Sequence, residues 1–327
     1  MFKRPSTSLA FLPALALAMM AGCDEPAGFG EDGAVKLRPW GCTWCGSTYG
    51  NSPNINGSEL ADIHLDLVST GGVKLWPGTT LQGQPFRLDI DPTTERFLGL
   101  SVGDPDEVEI ANDQFVGAKI ALEMNGGAMI TLTITDYDDK VPSWSSDGGT
   151  ITAYRAAYMG PDQQNHPLCP STNPDNQWFT LIADELYDRT DHTVSASPRS
   201  VSIACVGEAA AKMKLMDFGP HGGRGASLDE RQATLRMITA DYCGTGVSFT
   251  ASGTQVAWRD YMSLVEPPTD EVALEAYWTK DGAYCLNTPR HAELAEVLEE
   301  CSIPTCTDDV GFSDGVIWRT MLPNTAD

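Results

Sequence analysis

The chain has 327 residues, with 45 Asp or Glu against 21 Lys or Arg, so its formal net charge is −24. A strongly acidic surface repels phosphate backbones and anionic lipid headgroups, which argues against nucleic acid as a partner and against bilayer binding through basic patches. The length is enough for one large domain or two medium-sized domains with hydrophobic cores.

The first 22 residues are typical of an export signal. Lys3 and Arg4 supply positive charge, and the apolar run 9–20 is too short to span a bilayer. The run ends in Met20-Ala21-Gly22-Cys23, which resembles the lipobox of bacterial lipoproteins, where the cysteine is acylated and becomes the new N-terminus. We therefore expect a lipid on Cys23 that anchors the protein at the bacterial cell envelope, in the periplasm or on the outer surface. An ordinary signal peptide cut at the same residues is the alternative.

The chain has nine cysteines, so eight remain when Cys23 is set aside. An even number in an exported chain predicts four disulfides with open connectivity. Two alternatives are a redox pair at Cys42-x-x-Cys45 and a zinc site that combines this pair with Cys301 and Cys306. The stretch 47–53 favours a structural clasp, because its Gly, Ser, Asn and Pro residues do not begin the helix that a redox pair needs. The eight residues are Cys42, Cys45, Cys169, Cys205, Cys243, Cys285, Cys301 and Cys306.

The first half of the chain is predicted to be a flexible tether followed by a series of strands. Residues 23–39 are rich in Gly, Pro and acidic groups and predict a flexible segment. Within 40–160, apolar residues alternate with polar ones in 85–90, 116–124 and 130–134, which predicts antiparallel strands with one wet face. Asn125-Gly126-Gly127 predicts the tight turn of a hairpin between the last two.

Two acidic stretches in this half bring carboxylates close together: Asp104-Pro105-Asp106-Glu107 and Asp136-Tyr137-Asp138-Asp139. Calcium binding is one interpretation, since Ca²⁺ takes six to eight oxygen ligands. Solvated turns between strands are the other, and neither stretch has the spacing of an EF-hand loop. We assign no metal site and no cofactor from the sequence.

Residues 159–176 contain four prolines and predict a linker or a long loop, which places a domain boundary near 160. Strands are expected at 178–183 and 201–205, with a short helix at 208–215. Ser227 and Glu230 have the spacing of a capping box, so a second helix should begin there. The recurrence of Leu228, Leu235, Ile238 and Tyr242 predicts one buried side and a helix that ends near Gly244.

The remaining elements are predicted as strands at 247–251, 255–258, 273–278 and 282–286, followed by a final helix. Thr288 is the expected N-cap of that helix and Pro289 lies in its first turn. Its buried face should carry Leu294, Val297, Leu298 and Cys301. The fold class is therefore α+β: a mainly antiparallel β part at 40–160, then a disulfide-stapled mixed α/β domain at 161–327.

Four ordered blocks of the second half carry a resemblance to a known family. The blocks are 204–212, 236–246 with Ala240-Asp241-Tyr242-Cys243 at its centre, Gly253-Thr254, and Gly282-Ala283-Tyr284-Cys285. In these blocks the chain resembles the ADYC domain, a family of secreted or lipidated bacterial proteins without a known activity, over about 160–322 and more loosely over 51–57. Members often have cysteines at the positions of Met213 and Thr234. The resemblance implies the compartment and the fold of the C-terminal part.

The sharpest enzyme hypothesis makes Cys243 a nucleophile beside His221 and Asp241, with the glycine-rich stretch 221–225 as an oxyanion pocket. The alternative is structural: Asp241 caps or pairs locally, Tyr242 packs on a sheet, and Cys243 clamps the helix end. An oxidising compartment and an even cysteine count favour the structural alternative, so we assign no catalytic residue and leave enzyme activity open.

Two functions from different classes remain. One is a lipid-anchored, disulfide-stabilised module that binds or scaffolds a protein or a glycan. The other is a secreted hydrolase whose active site the sequence does not reveal. A binding module should expose an apolar or aromatic patch, and a hydrolase should have a pocket with convergent titratable groups.

Overall fold

The computed structural model describes residues 53–323, except for 56–57, 61–62, 67, 70, 77–78, 105, 172–175, 189, 266–271, 308–309 and 313–314. The predicted signal peptide, Cys23, the tether, and the pair Cys42 and Cys45 lie outside the described residues. Within those residues, no helix has the length and apolar character that a membrane crossing requires.

The described elements are mostly short strands, with three α-helices in the second half of the chain. The helices are α1 (Ala209–Leu215), α2 (Leu228–Thr239) and α3 (Leu294–Glu300), and a 3₁₀ turn covers Asn112–Phe115. The strands are β1 (Asn54–Ile55), β2 (Ser58–Glu59), β3 (Ile63–His64), β4 (Lys74–Leu75), β5 (Thr80–Leu81), β6 (Gln84–Pro85), β7 (Arg87–Asp91), β8 (Arg96–Leu100), β9 (Val108–Ala111), β10 (Lys119–Glu123), β11 (Met129–Pro142), β12 (Thr150–Met159), β13 (Asn165–Pro167), β14 (Phe179–Tyr187), β15 (Val194–Cys205), β16 (Ala257–Asp260), β17 (Val272–Thr279), β18 (Gly282–Leu286) and β19 (Trp318–Pro323).

Antiparallel pairing joins these strands into one large sheet and smaller ones. The large sheet has the order β3-β15-β14-β12-β11-β10-β5-β6, with β13 added beside β12 and β4 beside β10. A second sheet has the order β7-β8-β9 and a third has the order β16-β19-β17-β18. The predicted α+β class, with antiparallel sheets and disulfides in the C-terminal region, is therefore confirmed.

The large sheet is buried on both faces, because alternate residues of its central strands enter two different cores. On β14, Phe179 and Leu181 join the core shared with the β7-β8-β9 sheet. Ile182 lies on the opposite face of β14 and joins a second core, which we call the helix core. The helix core also contains the three fully buried indoles of Trp258, Trp278 and Trp318.

Helices α1 and α2 fill the helix core. Both contact β15 of the large sheet, and α2 also contacts β17, β18 and β19 of the third sheet. The layers are thus the β7-β8-β9 sheet, the large sheet, the helices and the third sheet. All seven residues of α1 are buried, including Lys212 and Lys214, which is unusual for lysine.

The strands on either side of residue 160 belong to the same sheet. β12 pairs with β14 at Tyr154 and Phe179, and β13 pairs with β12 inside the proline-rich segment that was expected to be a loop. Part of that segment is therefore a strand. The predicted domain boundary near residue 160 lies between strands that belong to the same sheet.

The turn at Asn125-Gly126-Gly127 joins β10 and β11 as predicted. Leu122 pairs with Ile130 in register, and the Met124 and Ala128 backbones close the turn. The acidic residues Asp136 and Asp138 lie within β11, next to register shifts, so the interpretation of this stretch as a turn is wrong. A strand of 14 residues accommodates these shifts by bulging, and Asp136 lies 3.8 Å from Arg155 on β12.

Helix α2 begins at the predicted capping box, where Ser227 N–H donates to Glu230 Oε2 and Glu230 N–H donates to Ser227 Oγ. It ends earlier than predicted, at Thr239 rather than near Gly244. Ala240 takes the left-handed conformation with φ of 51°, so Ala, not Gly, supplies the C-cap. Leu228 is exposed, contrary to the expected buried stripe, because it lies in the first turn.

Two further boundaries differ from the sequence prediction. Residues 247–251 are not a strand, because they bond to the end of α2 instead. The Ser248 hydroxyl donates to the Thr239 carbonyl, and Phe249 N–H donates to the Ala240 carbonyl. Helix α3 begins at Leu294, not at Thr288, because Arg290 is buried in the core. Of the predicted buried face of α3, Val297 is buried and Leu298 is exposed.

The capping box gives α2 a pH-dependent contribution to stability. Burial alone raises the pKa of Glu230, but hydrogen bonds from Ser227 and from the Tyr261 hydroxyl outweigh it, so the net pKa lies below the usual 4.5. Because the unfolded state then binds protons more readily, this contribution is present above pH 4.5 and is lost as pH falls through the folded-state pKa. We expect Glu230→Ala to lower the free energy of unfolding by about 1 kcal/mol at pH 7 and by less in acid.

Denaturant unfolding measured across pH checks this expectation. Glu230→Gln is the matched control, since an amide oxygen still accepts from Ser227 N–H but does not titrate. A pH-independent difference between the wild type and Glu230→Ala would contradict the role of the charged carboxylate.

Candidate functional site

A polar cleft of about 250 Å³ opens at the end of α1. Its walls come from the turn between β7 and β8, the loop between β11 and β12, and the loop that follows α1. Side chains that titrate or form hydrogen bonds make up much of its lining. They include Glu95, Arg96, Ser143, Lys214, Asp217 and His221.

A buried ion pair lies at the cleft. Lys214 Nζ is 2.7 Å from Glu95 Oε2 and also donates to the Leu181 carbonyl. Glu95 Oε1 accepts from Ala183 N–H at 2.9 Å, and Glu95 takes a left-handed φ of 51°. Burial lowers the pKa of Lys214; the Glu95 carboxylate opposes this effect, and the charge of Arg96 adds to it.

Arg96 follows Glu95 and supplies the second cation of the cleft. Its guanidinium donates to Thr152 Oγ1 at 2.8 Å and to Asn112 Oδ1 at 3.2 Å. No carboxylate among the described residues forms an ion pair with it. These partners hold the guanidinium in place through neutral oxygens, and its charge also helps to lower the pKa of Asp91, its cross-strand neighbour on β7.

The loop after α1 is held together by Asp217. Its two carboxylate oxygens accept from Gly223 N–H at 2.8 Å and Arg224 N–H at 3.0 Å. Arg224 in turn forms an ion pair with Asp260 at 2.9 Å and lies over the Phe218 ring. The oxyanion pocket of the enzyme hypothesis is therefore not formed by Gly223 and Arg224, because their N–H groups already donate to a carboxylate.

His221 is also on the cleft wall, with Nε2 3.5 Å from Asp184 Oδ2. It does not come together with Cys243. The structure thus places His221 at the cleft, whereas Asp241 is buried at the end of α2 and Cys243 is in a disulfide.

The stretch Ala240-Asp241-Tyr242-Cys243 forms the junction between α2 and the third sheet. The Asp241 carboxylate is fully buried and forms an ion pair with Arg236. It also accepts from Thr245 N–H at 3.0 Å and Gly246 N–H at 2.9 Å. Asp241 therefore ties the last turn of the helix to the loop that leaves it, as the structural alternative expected.

Tyr242 enters a buried network with Glu275 and Arg290. Its hydroxyl donates to Glu275 Oε1 at 2.5 Å and accepts from Arg290 N–H at 2.8 Å. Burial, followed by the Glu275 charge, raises the pKa of Tyr242 well above its usual value. The Arg290 guanidinium binds both Glu275 oxygens and donates to the Met237 and Ile238 carbonyls of α2.

Cys243 is bonded to Cys301, the residue that follows α3. The backbone beside it approaches the turn between β17 and β18 closely. A Cβ on Gly244 would lie 2.2 Å from the Asp281 carbonyl oxygen, and one on Gly282 would lie 2.4 Å from that of Tyr242. Both glycines have positive φ, so a larger residue is excluded by space and by conformation.

A family model described as the ADYC domain matches residues 112–292, which is more than half of the chain. The chain belongs to the ADYC domain family. The match begins at the 3₁₀ turn before β10, earlier than the span expected from the sequence. Neither the curated proteins nor the solved structures gave a match.

The family resemblance led us to expect cysteines in other members at two positions, which are occupied by Met213 and Thr234 in this chain. Met213 on α1 and Thr234 on α2 are fully buried, and the two helices contact each other. Thr234 Oγ1 accepts from Trp318 Nε1 at 2.8 Å and donates to the Glu230 carbonyl at 2.7 Å. In this member, packing and hydrogen bonding occupy both positions.

Six of the eight predicted cysteines form three disulfides in the structure, and Cys42 and Cys45 are not described. The pairs are Cys169–Cys205, Cys243–Cys301 and Cys285–Cys306. A free Cys243 thiolate is therefore contradicted. The zinc alternative is wrong for Cys301 and Cys306, because they belong to two different disulfides. Among the described residues, no cluster of three or more His, Cys, Asp or Glu side chains is placed to hold a metal ion.

Sequence reasoning missed the cleft. Glu95 and Lys214 are 119 positions apart, and neither belongs to a motif. The available signal was the presence of two lysines, Lys212 and Lys214, in a short helix whose other residues are all apolar.

The buried Glu275–Arg290 pair gives a direct test of the junction. We expect Arg290→Met to lower the free energy of unfolding by about 3–5 kcal/mol, because it leaves a buried carboxylate without its counter-ion. Denaturant unfolding followed by tryptophan fluorescence measures the loss.

The control is Arg199→Met, which removes an exposed arginine that pairs with Asp66 and Asp89. This exposed pair should contribute less than about 1 kcal/mol. Equal losses in the two variants would show that the buried network does not stabilise the junction.

Proposed function

We propose that this ADYC-family protein is a lipid-anchored module of the bacterial cell envelope that binds a small polar ligand in the cleft. The lipobox-like Met20-Ala21-Gly22-Cys23 supports the anchor, and the three disulfides fit an oxidising, extracytoplasmic compartment. A larger protein or glycan partner would be recognised through a small polar part that enters the same cleft.

The observation that carries the proposal is the convergence of Glu95, Arg96, Lys214 and Asp217 on one concave surface. Polar groups that converge on one pocket are typical of ligand sites, because they fix the orientation of the ligand. The polar groups are held by the fold: Glu95 by Lys214 and Ala183, and Asp217 by two backbone amides. Groups that the fold holds in place can orient a ligand when it binds.

A secreted hydrolase is the second candidate, and one observation favours it. His221 lines the cleft with its ring nitrogen 3.5 Å from the Asp184 carboxylate, a pairing that a general base uses. Among the described residues, however, no hydroxyl donates to His221, and Ser143 Oγ donates to the Leu215 carbonyl instead. A hydrolase would need a nucleophile or water brought to His221 by its substrate.

The anchor is tested by labelling cells with an alkyne analogue of palmitate. Full-length protein expressed with its own leader should carry the label and sediment with membranes, because acylated Cys23 holds it there. Cys23→Ser should lose the label and appear in the soluble fraction. A soluble, unlabelled wild type would overturn the anchor.

Binding in the cleft is tested by filling it. Gly149 lines the cleft, and a Cβ there would meet no other atom within 4 Å, so Gly149→Phe should occupy the cavity and leave the fold unchanged. We expect isothermal titration with succinate, glycine betaine or glucose to show saturable binding of at least one probe to the wild type and none to Gly149→Phe.

Gly103→Phe is the matched control, since Gly103 is exposed, lies outside the cleft and also has room for a side chain. This variant should bind like the wild type. Equal binding by Gly149→Phe would place the ligand elsewhere and overturn the cleft as the site.

A further inference from the structure

Lys214 is positioned as an amine rather than only as a counter-ion. Its side chain is 8% exposed, and the residue lines the cleft. Nζ donates to Glu95 and to the Leu181 carbonyl, so a neutral amine would have both hydrogens in use and its lone pair left for an electrophile. Burial, which lowers the pKa of Lys214, favours that neutral form relative to an exposed lysine.

Arg96 supplies a second feature of the cleft that points to a ligand. Its guanidinium is fixed by Thr152 and Asn112, and within the described residues it forms no ion pair with a carboxylate. Arginine presents a planar fork of donors that matches a carboxylate. A ligand carboxylate would give the guanidinium a direct anionic partner inside the cleft.

We propose that the cleft captures a small 2-oxo acid, with the ligand carboxylate on Arg96 and its carbonyl carbon bonded to Lys214 Nζ as an imine. This inference rests on the proposed function, because it names the ligand class of the same cleft. A ligand of this kind has its carboxylate and its carbonyl on adjacent carbons. Arg96 and Lys214 both line the cleft, so one small ligand can contact both residues.

The chemical step is a condensation that balances without a further reagent. The neutral Lys214 nitrogen attacks the carbonyl carbon, and a C–N bond forms as the C=O bond opens. Glu95, 2.7 Å from Nζ, carries the two amine protons one after the other to the former carbonyl oxygen, which leaves as water. The products are one neutral imine on Lys214 and one water molecule, and hydrolysis releases the acid unchanged.

The test uses the intact, disulfide-bonded protein with pyruvate and sodium cyanoborohydride, which reduces an imine to a stable secondary amine. Peptide mass mapping then locates the label. We expect Lys214 to be labelled in preference to the exposed Lys119 and Lys140. The label at position 214 should disappear in Lys214→Arg and in Gly149→Phe, and it should fall in Arg96→Gln. Lactate, which has the carboxylate without the carbonyl, should compete with pyruvate.

Calorimetry with pyruvate separates this inference from the proposed function. Binding that is lost in Gly149→Phe, without any label on Lys214, would overturn the imine while the cleft stays a ligand site. Absence of both binding and label would overturn the 2-oxo acid as the ligand, and the succinate, betaine and glucose titrations then decide the cleft itself. Equal labelling of Lys119, Lys140 and Lys214 would also overturn the inference, because it would show ordinary surface reactivity.

Circular dichroism of Lys214→Arg confirms that loss of label reflects chemistry and not unfolding.

Discussion

The buried guanidinium of Arg290 is the interaction on which the ADYC junction depends. It donates to both oxygens of Glu275 and to two carbonyls at the end of α2, those of Met237 and Ile238. A helix that continued past Thr239 would need those carbonyls for its own next turn. Arg290 therefore sets where α2 ends, and the residues after it can turn into the core.

The family motif is explained by this early end of the helix. Ala240 takes the left-handed conformation, and Asp241 accepts from the amides of the loop that follows. The Tyr242 hydroxyl donates to Glu275, and Cys243 forms a disulfide with Cys301, which follows α3. Each residue type matches one demand of the junction, and none is free for chemistry. A short signature can therefore mark a folding constraint shared by proteins whose ligands differ.

Features that depend on neighbours in sequence were predictable, and features that depend on distant residues were not. The Ser227 capping box and the turn at Asn125-Gly126 involve residues within a few positions of each other, so local rules were sufficient. The end of α2 was misplaced because Arg290, 50 residues beyond Ala240, takes its carbonyls. The cleft was missed for the same reason, since its ion pair joins a turn of the β part to a helix of the C-terminal part.

Two of the buried ion pairs among the described residues differ in a way that bears on function. Arg290 and Glu275 are fully buried, and every partner of the pair comes from the fold. Lys214 and Glu95 are nearly as buried, but they line a cleft that also holds Arg96. Burying a charged pair carries a desolvation penalty that excellent geometry only offsets. At the junction, that penalty is balanced by the capping of α2. At the cleft, Lys214 bonds one strand carbonyl and Glu95 one strand amide, so the compensation is smaller. A perturbed lysine in a concave polar site is typical of a functional group, and Lys214 meets that description.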